Sequence, residues 1–315
     1  METIFKNYFV CIIFLVSLLF SGTNSWAQEA RVQKTIAYEQ DTLSDVVEIT
    51  ATDYAFDAPK EIESGWTTFE YKNEGNEPHF LFLTKIPEGL TFDAYAGDAL
   101  VPFNAVWYAM RDEGISTEEV MERLGAQMPE WFWTLEFAGG AGLISPGRIT
   151  NVTLNLEPGI YAMECYMKTE DGELHSMEGM LRELKVTDTP SEAAAPEADI
   201  AITLSNFEMA IDGNLSPGNH TISVHVAENP EEGYGHNVHV ARLTEDTDAQ
   251  EVAEWMNWFD VNGLQNPSPV IFIGGMQLLP EGGTGYFSLD LEPGQYLFYS
   301  EYTGYLGVAK EVTVE

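Results

Sequence analysis

Cysteine is almost absent from this chain. Only Cys11 and Cys165 occur in 315 residues, so no disulfide framework staples the fold. Positive charge is scarce too: 14 Lys+Arg stand against 51 Asp+Glu, a formal net charge of −37. The excess is spread along the sequence, which describes a solvated anionic surface. Nucleic-acid binding is thereby excluded, because it needs a basic patch to meet phosphate. A saline habitat accounts for the charge better than a cationic partner does. Histidine is limited to six residues, which bounds any metal chemistry. Long helical patterns are few, and no apolar run reaches the ~20 residues of a membrane span. What is present, 44% hydrophobic and 12% aromatic residues, is ample for packed cores, so a disordered acidic tail is excluded as well. The length fits about two domains at ~150 residues each.

Residues 1–27 have the layout of a signal peptide. Lys6 supplies a positive start, an apolar stretch runs from Val10 to Phe20, and Ser25-Trp26-Ala27 places small residues where a signal peptidase reads. Cleavage after Ala27 predicts an exported chain, periplasmic or extracellular, with no membrane span. It also removes Cys11 and leaves Cys165 as a lone thiol in an oxidising compartment, a liability unless the sulfur is buried or ligated. Residues 28–45 are a polar lead-in.

The remainder is written twice in β-rich language. Leu156-Glu157-Pro158-Gly159-Ile160-Tyr161 recurs 135 residues on as Leu291-Glu292-Pro293-Gly294-Gln295-Tyr296, and Phe137-Ala138-Gly139-Gly140 recurs at the same offset as Phe272-Ile273-Gly274-Gly275. The strand Val47–Ala51 matches Ile200–Leu204. Each copy has a His opening an apolar strand, His79 and His236. The gap from that His to the Gly-Gly turn is 58 residues in the first copy and 36 in the second. The first copy therefore carries an insertion, expected to be helical over about 91–125. Ser116 with Glu119 and Thr247 with Gln250 have the spacing of capping boxes. The runs they open place Val120, Met121 and Leu124, and Val252, Trp255, Met256 and Phe259, on packing faces. A Pro/Ala-rich stretch at 188–198 predicts a linker between a first domain, 46–187, and a second, 199–315. The expected fold class is all-β: two tandem Greek-key β-sandwiches with short helical insertions.

The first copy also carries a metal-binding pattern. Its last strand delivers Cys165, and the following loop holds His175 and Gly179-Met180, with His79 on a distant strand. A thiolate, two imidazoles and a weak thioether are the donor set of a mononuclear blue-copper site, and soft sulfur selects copper over magnesium or calcium. Met177 is an alternative axial donor. With these residues the chain resembles the cupredoxin family over nearly all of its length after residue 27. The resemblance implies one type 1 copper, bound by His79, Cys165, His175 and Met180, and electron transfer with a redox partner protein that the sequence does not identify. One departure is Phe80, where many members of that family have Asn.

In the second copy Ser300 stands where Cys165 does, no His or Met follows, and only His236 survives, with Asn237 behind it. His239 lies three residues along and points to the other face. His220 and His225 suggest at most a separate site. The second copy is thus expected to be metal-free.

Copper enzymes of similar build need a second copper centre. The nitrite-reductase pattern places one His directly before the Cys and another five residues after the first His, but Glu164 and Thr84 occupy those positions, and no His follows His239. An enzyme is therefore not expected. Besides electron transfer, a Cu(I) carrier or store (Met163, Met167, Met177 and Met180 lie near Cys165) and a metal-free interaction protein on the same scaffold are the alternatives.

Overall fold

A computed structural model describes residues 46–230, 235–247, 249–258 and 260–315. The signal peptide and the lead-in lie outside the described residues, as does Phe259. Sixteen described strands carry the fold, eight in each half. In the first half β1 (Val46–Thr52), β2 (Ala55–Asp57), β3 (Glu61–Asn73) and β6 (Ile149–Leu156) make one sheet in the order β2-β1-β3-β6. Strands β4 (Phe82–Lys85), β5 (Glu136–Phe137), β7 (Gly159–Glu164) and β8 (Leu181–Pro190) follow the order β5-β4-β7-β8. The second half repeats both sheets. Strands β9 (Ile200–Ser205), β10 (Glu208–Asp212), β11 (Gly218–Glu228) and β14 (Thr284–Leu291) run β10-β9-β11-β14, and β12 (His236–Leu243), β13 (Ile271–Leu279), β15 (Gly294–Tyr299) and β16 (Ala309–Val314) run β13-β12-β15-β16. The all-β fold class read from the sequence is the one observed.

The period-2 pattern explains the sandwich. Along β11 the side chains of His220, Ile222, Val224 and Val226 are buried and their neighbours are not; the buried row faces the interior because successive residues of a strand point to opposite faces. Strand β3 belongs to both sheets of its half. Glu61–Ser64 pair with β8, and from Gly65 onward the strand pairs with β6. The switch falls at Gly65, whose φ of 96° a side chain would resist.

The two halves are not beads on a string. Strand β6 pairs antiparallel with β14, matching Val152 to Phe287, and Ala141 bridges Met276. Both pairs join positions 135 apart, the offset of the sequence repeat, so each residue meets its own counterpart about a local two-fold relation. One sheet therefore runs through both halves, and a single hydrophobic cluster includes Phe69 and Leu154 of the first half with Phe287 and Phe298 of the second. Within each half the repeated Gly-Gly pair lets a neighbouring strand approach closely: a Cβ on Gly140 would lie 1.8 Å from Leu81 O, and one on Gly275, inside β13, would lie 2.0 Å from Val238 O.

The boundaries differ in places from those expected. Strand β8 continues to Pro190, into the stretch expected as linker, because Ser191 N donates to Ser64 O (2.7 Å) and pins it against β3. The insertion is helical from Phe92 to Thr134 rather than over 91–125: a turn at Phe92–Ala94, a π-helical stretch at Tyr95–Leu100, helix α1 (Val101–Glu113), helix α2 (Thr117–Gln127) and a 3₁₀ turn at Glu130–Thr134. Ser116 caps α2 as its spacing indicated, its Oγ accepting from Glu119 N at 3.2 Å. Leu124 and Val120 pack beneath the helix, but Met121 is exposed, since it lies about 100° around the axis from its neighbour.

Candidate metal centre

His79 sits just before β4 and is held by a two-way backbone bridge with Ile144, at 3.2 and 3.0 Å. Cys165 follows the last residue of β7, and its N–H donates to Met180 O at 3.1 Å. The loop between them folds back on itself: His175 N donates to Met167 O, and Met180 N donates to His175 O, both at 2.8 Å. A short helix, α3 (His175–Glu178), thereby delivers His175 onto Cys165.

The structure brings His79, Cys165 and His175 together with all three side chains fully buried. Their ligand atoms lie within 4.8 Å of one another. His79 Nδ1 is 3.1 Å from His175 Nδ1, and Cys165 Sγ is 3.7 Å from that same nitrogen. Both rings thus turn Nδ1 inward and present Nε2 to a carboxylate. His79 Nε2 is 2.9 Å from Asp53 Oδ1, and His175 Nε2 is 2.8 Å from Glu77 Oε2, a short contact that is poorly aligned for a hydrogen bond. Asp53 is itself fixed by Asn76, through its backbone N–H (2.9 Å) and its Nδ2 (2.7 Å). Tyr54 packs against His175 with ring centroids 4.9 Å apart.

The electrostatics follow from burial. Burial, with His175 adding to it against the pull of Asp53, lowers His79 to about 4, so the imidazole is neutral and able to ligate at neutral pH. Burial pushes the Cys165 thiol up to about 12, against backbone N–H groups of Phe80 and Met167. The thiol stays protonated until a cation displaces the proton. Burial also works to raise Asp53, but the hydrogen bonds from Asn76 and the contact with His79 outweigh it and leave the carboxyl below its usual range.

Of the two candidate methionines, Met180 is fully buried and Met177 is 43% exposed. Asn104 of α1 donates to Met177 Sδ and turns that sulfur toward the insertion. Sequence spacing did not reveal Asp53, Glu77 or Asn73. Asn73 ties the loops around His79, its Nδ2 donating to Glu77 O (2.7 Å) and Ile144 O (2.9 Å). Phe80 instead packs on Tyr166, centroids 4.4 Å apart. Gly75 was missed as well: a Cβ there would lie 2.2 Å from Asp53 Oδ1 and 2.8 Å from His79 Nε2. Glu77 and Gly75 stand close enough to His79 in sequence to have been noticed, but nothing in the sequence links Asp53 to it.

In the second half hydroxyls occupy the equivalent place. Thr303 Oγ1 is 3.2 Å from His236 Nδ1 and donates to Ser300 Oγ at 2.8 Å. His239 faces away and accepts from Leu143 N of the first half at 3.0 Å. His220 is engaged by Asp199 and Ser216 O, and His225 by Gly283 O and Thr284, so these two do not form a joint site.

No family model matches the chain, and no curated protein matches it. Among solved structures, it is similar to a reduced auracyanin from Roseiflexus castenholzii (19% identity, TM-score 0.28, 46% of this chain and 98% of that one). It is also similar to an azurin from Methylomonas sp. strain J (16%, 0.29, 38% and 99%) and to a blue copper oxidase from Nitrosomonas europaea (13%, 0.23, 85% and 85%). Overlaps this low carry no weight by themselves; the class follows from the strands and donors of this chain. Paired β-sandwiches with a buried Cys, two His and a nearby Met make it cupredoxin-like. One soft sulfur and two imidazoles turned to a common point fit a blue-copper site.

Proposed function

We propose that the chain is an exported electron-transfer protein with one type 1 copper, which His79, Cys165, His175 and Met180 would hold. The observation that carries this reading is the convergence of two inward Nδ1 atoms and one thiol in a fully buried pocket. Copper bound there would supply a one-electron Cu(II)/Cu(I) couple. The protein's part is geometric. Asp53 orients the His79 ring through Nε2, which fixes its tautomer and raises its basicity as a ligand, and Glu77 stands against Nε2 of His175. The dry core around Cys165 keeps water off the sulfur, and the backbone bonds that close the 165–180 loop hold the donors in place whatever the oxidation state. Glu164 and Thr84, where a second centre would need His, support a role without catalysis.

The test is to add one equivalent of Cu(II) to the purified chain and record its visible spectrum. An intense thiolate-to-copper band, absent from Cys165→Ala, with a reversible couple in voltammetry, is the expected result. A chain that binds only Cu(I) and yields it readily to a chelator would indicate a carrier. A chain that binds neither ion would leave an interaction scaffold. Export is tested separately, by finding Gln28 at the N-terminus of the secreted product.

A further inference from the structure

The strand that presents Cys165 to the metal centre has a second side. Alternation turns Glu164 and Tyr166 away from the face that Cys165 uses, and both line a cavity of about 290 Å³. Leu174 and Ser176, which flank His175, line it too. The cavity is therefore backed by the chain neighbours of two metal-centre residues, on the reverse of the same strand and loop. Its roof is the helical insertion, through Phe103 and Phe132, and the second half closes one side with Trp258.

Its walls are mostly aromatic. Phe103 and Trp258 stand with centroids 5.9 Å apart, and Phe82 meets Tyr166 edge-on at 5.8 Å. One end is polar. Tyr95 OH donates to Glu164 Oε1 at 2.8 Å, which leaves the carboxyl further accepting capacity. Beside it Thr84, 1% exposed, lies near the Tyr95 hydroxyl without an aligned hydrogen bond, and its Oγ1 has no partner. A buried hydroxyl left without a partner is costly unless something in the space completes it. A single ligand hydroxyl meets both needs, donating to Glu164 and accepting from Thr84. The volume lies at the low end for ligand pockets, which limits the rings to one or two.

From this arrangement we propose that the cavity is a binding site for a small phenolic compound, an aromatic ring system of one or two rings bearing a hydroxyl. Ring faces stack against Phe103 and Trp258, and the hydroxyl sits between Glu164 and Thr84. Binding does not need the metal. The position of the site, one strand thickness behind Cys165, deepens the redox reading and rests on it only for its effect on the copper.

Calorimetric titration of the full chain with 2-naphthol, first metal-free and then copper-loaded, tests the proposal. Saturable one-to-one binding to the metal-free chain is expected, with naphthalene weaker by at least about tenfold, since a site built to bond a hydroxyl rejects the analogue that lacks one. Thr84→Val should weaken 2-naphthol binding and leave naphthalene unchanged. Trp133→Ala, at a cavity-lining residue 52% exposed, should weaken both. No saturable binding, or naphthalene bound as tightly as 2-naphthol, would overturn the assignment. If 2-naphthol binds a chain that shows no thiolate-to-copper band, the copper reading falls and the phenolic site stands.

Discussion

His79 and His175 meet Nδ1 to Nδ1 at 3.1 Å, and behind each ring a carboxylate, Asp53 or Glu77, stands against Nε2. Two imidazoles gain little from facing each other nitrogen to nitrogen in a dry core. The arrangement makes sense as a pair of donors aimed at a shared cation, with His79 aligned from behind by Asp53.

Asp53 and Gly75 are therefore expected to matter for metal affinity without touching the metal. Asp53→Asn should lower copper affinity by roughly 10–100-fold, the usual cost of losing an orienting carboxylate. Gly75→Ala should do the same, because its Cβ would lie 2.2 Å from Asp53 Oδ1. Competitive copper titration against a chelator measures both. Affinity unchanged in both variants would show that the carboxylate does not position His79.

Met180 and Met177 are expected to separate cleanly. Met180→Leu should shift the reduction potential and the visible spectrum, as changes of axial donor do. Met177→Leu should leave both as they were, since that sulfur is taken by Asn104. Voltammetry on the two variants decides the assignment.

Two buried groups give opposing dependences of stability on pH in the metal-free chain. His79 titrates near 4 when folded and near 6.5 when unfolded. The unfolded chain takes up its proton first, so this contribution is present above 6.5 and is lost as pH falls toward 4, about 3 kcal/mol in all. Glu164, raised to about 7 by burial against the Tyr95 hydrogen bond, works the other way: its contribution is full below about 4.5 and is lost as pH rises to 7. Glu164→Gln should therefore gain on the parent chain as pH rises from 4.5 to 7, and His79→Gln should gain on it as pH falls from 6.5 to 4. Urea denaturation across this range gives the two signs.

The shared sheet implies that the halves unfold together. One calorimetric transition is expected for the metal-free chain, and Phe287→Ala, at the β6–β14 pairing, should cost about 3–5 kcal/mol and lower that single transition. Two separable transitions would show that the halves are independent.

Copper stoichiometry should be one per chain. Ser300→Cys should not raise it, because among the described residues of the second half the equivalent place holds His236 with the hydroxyls of Thr303 and Ser300. A second equivalent bound by that variant would mean that a missing donor is supplied from elsewhere.

The sequence alone determined the all-β class and the doubled plan, and it singled out His79, Cys165, His175 and Met180 as candidate donors. Period-2 alternation, the paired Gly-Gly and Leu-Glu-Pro-Gly motifs and the Cys, His, Met order of the 165–180 loop are local patterns, and local patterns are written in residue order. Only the tertiary structure decided that Val152 meets Phe287, that Asp53 stands behind His79 across 26 residues, and that Asn73 ties down the loop of Glu77. It also decided which methionine is buried, since Met177 and Met180 share a loop and differ only in what packs against them. The helical insertion was recognisable by its length, but the cavity beneath it was not. That cavity exists because residues on the reverse of the Cys165 strand face an insertion and a second half that sequence spacing cannot bring together.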